Sequence, residues 1–215
     1  MISHCKNYLE NTYGLISRNL SEYACIRKNG MKFEISSFTI TGIGNMSVLT
    51  MSAMLGLMKM ETVIITPLEI DAPLFSYDRI RVMGSDTLLL ELYDTQLTPF
   101  DDASLIKIKN QYKALPPYET GEHWYDPLKL SSCIAKKGKH VDESYQALCH
   151  SYADEYFRLI KNAPVCNRTE KQKKVKTYVD GLLTQGGPST DQFKKMIGTE
   201  KTTELFSRFI FASEN

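Results

Sequence analysis

The stretch at residues 61–97 constrains the fold of this 215-residue chain more than any other part of the sequence. It opens with β-branched residues at Thr62–Thr66, a composition that suits a buried β-strand. Pro67 and Pro73 then mark a turn region. Residues 79–93 form two strand-like segments separated by a Gly-Ser-Asp turn sequence. The stretch therefore predicts a buried strand followed by a β-hairpin.

Asp78 is a carboxylate inside this strand-like, half-buried stretch. Acidic side chains are rarely buried, so one interpretation is an aspartate that faces solvent. The other is an acid in the wall of a pocket, with a pKa that burial has raised. The residues alone leave both interpretations open.

The spacing in this stretch resembles the ferredoxin-dependent bilin reductases. The pattern Pro-x-x-x-Asp-x-Pro-Leu-Phe-x-x-Asp occupies residues 67–78, and in that family the last aspartate faces a linear tetrapyrrole. Ser76 stands where the family usually has glycine. The next strand-like segment, which runs through Asp94 to Leu97, is similar to the following strand of the family.

Two segments further along the chain extend the resemblance. Trp124, the only tryptophan, precedes a Tyr-Asp-Pro-Leu sequence, and residues 193–211 are similar to the closing pattern of the family. The family also has an Asn-Asp element whose aspartate protonates substrate in several members. Here residues 185–188 read Gln-Gly-Gly-Pro instead. Asp191 could replace the missing acid, or it could simply stabilise the first turn of a helix.

The resemblance implies an α+β fold with one domain over residues 1–215. In that fold a central antiparallel sheet is flanked by helices in an α/β/α sandwich. It also implies reduction of a biliverdin-like bilin by a radical mechanism, with single electrons from reduced ferredoxin or a flavodoxin-like donor. No bound metal or organic cofactor is expected, and pocket carboxylates would supply protons. A carrier of the same fold that binds a tetrapyrrole without reducing it is the alternative.

Glu61 and Asp78 are the catalytic residues that the resemblance implies. Counted without a gap, Glu61 falls where phycocyanobilin-forming members have histidine and several others have asparagine. We expect both acids to approach the pigment from one side of the sheet and one of them to keep its proton. A solvent-exposed Glu61 at the end of a strand is the alternative. The implied substrate-binding residues are Asp71, Phe75, Asp94, Trp124 and Asp191.

Composition excludes several other classes of protein. The formal net charge of +1 argues against a nucleic-acid partner. Five cysteines without a C-x-x-C pair predict neither a disulfide framework nor a zinc site. No stretch approaches the roughly 20 apolar residues of a membrane span, and the start of the chain lacks a signal pattern. We therefore expect a cytoplasmic protein without a membrane partner.

The remaining segments give coarser predictions. Apolar spacing from Ile2 to Ile16 predicts a helix that ends before Gly30, and residues 31–41 predict a strand. Gly42-x-Gly44 imitates a dinucleotide fingerprint but lacks its third glycine. The methionine-rich residues 46–60 fit a helix or a strand pair equally. Further expectations are a charged turn at 136–140, a helix from Asp142 towards Pro164, a second helix that ends at 186–188, and a basic face for the electron donor at Lys136, Lys137 and Lys139 or at 171–176.

Overall fold

The computed structural model describes residues 1–214, and its centre is one eight-stranded antiparallel sheet. The strands run in the order β1-β3-β4-β5-β6-β7-β8, and β2 also pairs with β3. The sheet is mostly a meander, because each strand from β3 to β7 pairs with the next one along the chain. The strands are β1 (Leu15–Ser17), β2 (Cys25–Lys28), β3 (Met31–Ile40), β4 (Gly44–Ala53), β5 (Met58–Pro67), β6 (Leu74–Val82), β7 (Ser85–Tyr93) and β8 (Ile134–Gly138).

Helices cover both faces of this sheet. The helices are α1 (Ile2–Tyr13), α2 (Ala103–Gln111), α3 (Asp142–Lys161), α4 (Arg168–Thr184), α5 (Pro188–Ile197) and α6 (Thr199–Glu204), and a π-helical turn at Leu205–Ile210 follows α6. Helices α1 to α3 pack on one face, which we call the α3 face. Helices α4 to α6 pack on the other, which we call the α4 face. The predicted α+β class, with a central antiparallel sheet between helices, is confirmed.

Strict alternation along the strands divides the core between the two faces. On β5, Val63 and Ile65 pack on the α3 face, whereas Ile64 packs on the α4 face. Helix α3 fills the first core with Tyr152 and Tyr156, which are fully buried. The rings of α3 stack against strand side chains, so the apolar stripe predicted from Asp142 onwards is a core stripe.

The two-glycine turn at Gly42 and Gly44 joins β3 to β4 in a hairpin, not a dinucleotide-binding unit. A Cβ atom at Gly44 would lie 2.2 Å from the carbonyl oxygen of Thr66 on the neighbouring strand. The backbone of Gly44 also has a φ of +152°, which L side chains rarely adopt. Close strand packing therefore accounts for this glycine.

One predicted element is shorter than its apolar spacing indicated, and another is wrong. The first helix ends at Tyr13, because Gly14 leaves the helix at φ +83° and Leu15 then pairs with Ile40 as a short strand. The expected charged turn at 136–140 is largely strand β8, in which Lys136 is buried and its Nζ donates a hydrogen bond to the carbonyl oxygen of Leu115 at 2.7 Å.

The other element predictions agree with the structure. The undecided segment 46–60 is a strand pair, β4 and β5, with a turn at Met54–Gly56. The hairpin of β6 and β7, the helix from Asp142 and the helix that ends before Gly186 are confirmed. Within residues 1–214, no helix combines the length and apolar character that crossing a bilayer requires.

Candidate functional site

Asp78 lies in the middle of β6 with its side chain on the α4 face. It is directly opposite Thr62 of β5, whose hydroxyl donates to Asp78 Oδ1 at 2.5 Å. The hydroxyl of Ser76, one position before it on the same face, donates to Oδ2 at 3.1 Å. Both carboxyl oxygens are thus held by strand neighbours, which fixes the orientation of the group.

Burial raises the pKa of Asp78 to about 6. The hydrogen bonds from Thr62 and Ser76 oppose this effect, and the nearby charge of Glu91 adds to it. Burial wins because the carboxylate form loses hydration that two hydroxyl donors do not replace. A much larger fraction of Asp78 is therefore protonated near neutral pH than of an ordinary exposed aspartate.

A half-exposed apolar strip extends from Asp78 towards the hairpin ends of the sheet. Its side chains lie on the α4 face with Asp78, because each is directly paired with another member of the set or with Asp78, and paired residues point to the same face. The set comprises Met58, Met60, Ile80, Val82 and Leu89. We call this set the open strip. Helices α4 to α6 bury the neighbouring part of the same face, including Leu49, Ile64 and Tyr93. The strip is apolar, partly exposed and bordered by one titratable acid, a combination that suits an apolar ligand.

Aromatic side chains border the site on the helix side. The ring of Tyr178 from α4 packs against that of Tyr93 with 4.7 Å between the ring centroids. The ring of Tyr125 approaches that of Tyr93 edge-on, with 5.9 Å between the centroids. Trp124 follows in the same cluster, and its indole N–H donates to the carbonyl of Gly186 at 2.8 Å. Trp124 therefore anchors its loop to the end of α4 and reaches the neighbourhood of Asp78 only through Tyr125 and Tyr178.

A buried ion pair lies beside Asp78 on the next strand. Glu91 accepts a hydrogen bond from the hydroxyl of Tyr93 at 2.7 Å and pairs with Lys129 at 2.9 Å. Burial lowers the pKa of Lys129, but the charges and hydrogen bonds of Glu91 and Asp126 together outweigh it, and the net effect raises that pKa. Asp126 is a second partner of Lys129 at 3.0 Å. The charge of Glu91 adds to the effect of burial in raising the pKa of Asp78, so this pair helps to tune the candidate proton donor.

Glu61 and Phe75 do not share the face of Asp78, and the prediction that they meet one ligand with it is wrong. Glu61 immediately precedes Thr62, so its side chain points to the α3 face, where it pairs with Arg81 at 2.6 Å. Phe75 is fully buried on the α3 face against Tyr156 at 5.0 Å. Successive residues of a strand alternate between faces, which separates each from the α4 face.

The other predicted contacts are dispersed. The carboxylate of Asp71 accepts the backbone N–H groups of Leu97 and Thr98 at 2.6 and 2.9 Å. Burial alone would raise the pKa of Asp71, but these bonds and the Thr98 hydroxyl outweigh it and lower the pKa. Asp94 pairs with Lys174 at 2.7 Å. Asp191 lies in the first turn of α5, beside Gly186. Asp71 thus secures a loop, and none of the three lies on the open strip.

Most lysines of the predicted basic face have structural partners. Lys171 is fully buried and donates to the carbonyls of Ala72 and Thr95, at 2.5 and 2.7 Å. Lys174 pairs with Asp94, and Lys176 pairs with Asp180 at 3.1 Å. Lys171 and Lys174 hold α4 to the sheet and loops, and Lys176 is paired within α4, which argues against the segment at 171–176 as a docking face.

Sequence reasoning missed the polar neighbours of Asp78. Thr62 and Glu91 influence this acid directly and Lys129 pairs with Glu91, yet the sequence patterns assigned none of them a role at the site. The alternation of β5 and β7 would have placed Thr62 and Glu91 on one face once the register was known. Within residues 1–214, no cluster of three or more His, Cys, Asp or Glu side chains could hold a metal ion.

Comparison with known proteins gives a likeness in fold. No protein-family model and no curated protein sequence matches the chain. Among solved structures, the chain is similar to a crystal structure of phytochromobilin synthase from tomato in complex with biliverdin, with a TM-score of 0.77 and 15% sequence identity. The likeness covers 99% of this chain and 82% of the tomato protein chain. It establishes a shared fold.

Proposed function

We propose that this protein binds a biliverdin-like linear tetrapyrrole on the open strip, beside helices α4 to α6, and reduces it. One observation carries the proposal: Asp78, with a pKa raised to about 6, borders a half-exposed apolar strip in the middle of the sheet. The fold shared with a protein crystallised in complex with biliverdin supports a bilin as the ligand.

Asp78 acts in this proposal as the proton donor. Saturating one double bond of a bilin takes up two electrons and two protons, and each added electron makes the pigment more basic. At pH 7 an acid with a pKa near 6 is protonated in about one molecule in ten, roughly a hundredfold more often than an ordinary aspartate, so it can transfer a proton to the radical and regain one near neutral pH. Thr62 and Ser76 orient the carboxyl group, and solvent then returns a proton to it.

The electrons come from outside the protein in this proposal. We expect reduced ferredoxin or a flavodoxin-like protein to deliver them singly, with no metal or organic cofactor bound to the chain. Encounter with an acidic donor depends on charge, so turnover should weaken as ionic strength rises. Activity with NADPH alone would contradict this part of the proposal.

The decisive experiment mixes the purified protein with biliverdin, and then with reduced ferredoxin in the absence of oxygen, while the visible spectrum is followed. We expect a saturable, roughly one-to-one complex with shifted absorbance. Conversion to a reduced bilin should follow only when the donor is added. A folded protein that leaves the biliverdin spectrum unchanged would refute both binding and reduction.

A non-reducing bilin carrier is the second candidate, and one observation favours it. The segment at residues 185–188 offers no acid, and Asp191 is half-exposed and lies 4.0 Å from Lys194 rather than on the open strip. Only Asp78 then supplies a proton from the strip. Spectral binding that persists without any turnover, under conditions in which a known bilin reductase is active, would select the carrier.

A further inference from the structure

Four large apolar side chains protrude at one end of the sheet. They lie in the β4–β5 and β6–β7 turns and are more than half exposed: Met54 at 51%, Leu55 at 107%, Leu57 at 61% and Met83 at 74%. We call them the apolar tips. The strand registers place these turns on the same edge, since Ala53 pairs with Met58 and Val82 pairs with Ser85.

The turns themselves do not require apolar residues. Met54, Leu55 and Met83 have φ values of +51°, +54° and +49°, in the left-handed region that glycine and asparagine adopt at lower cost. Their side chains contribute little to either core at this exposure. An apolar residue that is favoured by neither the turn nor the core is explained by a surface that covers it.

A row of cations crosses the sheet just behind the apolar tips. The register pairs Arg27 with Lys32, Lys32 with Ser52, Ser52 with Lys59, and Lys59 with Arg81. Directly paired residues share a face, so all four cations stand in one line on the α3 face, which we call the cation row. Like charges placed directly opposite each other destabilise a sheet, which argues for a function outside folding.

Half of the cation row remains unneutralised. Lys32 pairs with Glu34 and Arg81 pairs with Glu61, whereas Arg27 and Lys59 form no ion pair within residues 1–214. A hollow of about 620 Å³ beside the row is lined by Arg27, Lys28 and Lys32 and by no acidic residue. This edge therefore combines exposed apolar points with positive charge.

We propose that this edge docks on the surface of an anionic phospholipid bilayer. The cation row lies two to three residues behind the tips, or about 7–10 Å. Interfacial segments place apolar side chains about 5–10 Å deep at the boundary of headgroups and acyl chains. Inserted tips would thus put Arg27 and Lys59 at the level of the headgroup phosphates. No membrane span is needed for this arrangement.

The shape of the edge favours a bilayer over a protein partner. The two turns that carry the tips are about 10 Å apart, two strand spacings, and protrude separately. A protein interface needs a contiguous, closely packed core in an area of roughly 1,000 Å² or more. A bilayer accommodates separate points at any spacing. The inference is independent of the proposed bilin chemistry.

The test is sedimentation of the full chain with phosphatidylcholine vesicles that contain or lack phosphatidylserine. We expect binding to the anionic vesicles only, and weaker binding at high salt. The double variant Arg27→Gln/Lys59→Gln should bind about fivefold more weakly for each cation removed. The variant Leu55→Ser/Leu57→Ser should lose most of the remaining affinity.

Matched variants distinguish this edge from general surface properties. Lys107→Gln/Lys113→Gln removes two exposed cations elsewhere, and Ile16→Ser/Val165→Ser removes two exposed apolar side chains elsewhere. Both should bind vesicles as the parent does. Equal binding by the tip variant, or no binding by the folded parent, would overturn the proposal. The proposal would also be overturned if the parent does not bind vesicles and the same variants instead lose self-association or binding to an acidic ferredoxin.

Discussion

At the residue scale, Asp78 combines the two properties that a proton donor needs. Its carboxyl group is held by Thr62 and Ser76, and it borders an apolar strip that remains half-exposed. Its raised pKa comes mainly from burial, with the buried charge of Glu91 as a second cause. Removal of the acid should therefore affect proton transfer more than ligand binding.

We expect Asp78→Asn to bind biliverdin with little change and to stall after the first electron. Asparagine nearly keeps the shape of the side chain but supplies no acidic proton, so turnover should fall by about 100-fold or more. Stopped-flow spectroscopy should then show a radical intermediate that persists. Glu61→Gln is the control, because Glu61 lies on the opposite face; it should turn over near the parental rate. An Asp78→Asn protein as active as the parent would exclude Asp78 as the donor.

Asp78 should also make stability depend on pH. Its folded pKa, about 6, lies above the ordinary value of 3.8, so folding favours the protonated form. That contribution is complete below about pH 4 and is lost as pH rises through about 6. From pH 4 to 8 the parent should lose on the order of 2 kcal/mol of unfolding free energy relative to Asp78→Asn. Urea titrations of both proteins across this pH range measure the difference in unfolding free energy. If that difference does not change with pH, the raised pKa of Asp78 is contradicted.

Sequence patterns located Asp78 but misplaced its partner by a single position. Counting without a gap indicated Glu61, whereas the register puts Thr62 opposite Asp78. A shift of one residue reverses the face of a strand side chain, so even a small counting error separates two residues by the thickness of the sheet. The prediction that Phe75 contacts the ligand together with Asp78 has the same flaw, because a sequence motif records the spacing of residues but not the face of the sheet to which each side chain points.

At the element scale, local composition predicted the elements that have strong periodic patterns. The β-branched run of β5, the hairpin turn at Gly84 and the apolar stripe of α3 were all recognisable. The segment 46–60 was undecidable because methionine suits helix and strand alike, and only pairing with neighbouring strands settles it as β4 and β5. Strand β8 was missed because its lysines resemble a solvated turn, although Lys136 is buried against a carbonyl.

Helix α4 packs closely against the loop of Trp124 because Gly181 has no side chain at the contact. A Cβ atom at Gly181 would lie 2.2 Å from the indole ring of Trp124. Gly181→Ala should displace the indole and cost about 1–2 kcal/mol net, because overpacking outweighs the gain in helix propensity. Trp124 is the only tryptophan, so its fluorescence reports the shift directly. Thr177→Ala, on the exposed side of the same helix, should change neither quantity; an unshifted emission in Gly181→Ala would contradict this packing.

At the scale of the whole molecule, the sheet carries two separate surfaces, one proposed to bind a bilin and one proposed to dock on a bilayer. The open strip lies on the α4 face, whereas the cation row lies on the α3 face and the apolar tips extend beyond the hairpin edge. The sequence indicated the first through its motif residues. It gave no sign of the second, because Arg27, Lys32, Lys59 and Arg81 are far apart along the chain and align only through the register.

Methionines on the two surfaces allow both proposals to be tested in one molecule. Met60 lies half-exposed on the open strip, and Met83 is 74% exposed at the tips. In a peroxide footprinting experiment read by mass spectrometry, biliverdin should slow oxidation of Met60 and leave Met83 unchanged. Anionic vesicles should do the reverse, because the bilayer covers the tips and not the strip. If biliverdin protects both methionines, the ligand tightens the fold generally and does not mark the open strip. If anionic vesicles protect neither methionine, the apolar tips do not enter the bilayer and the docking proposal is contradicted. Opposite patterns with the two ligands require two independent surfaces, which a single ligand site on this sheet does not produce.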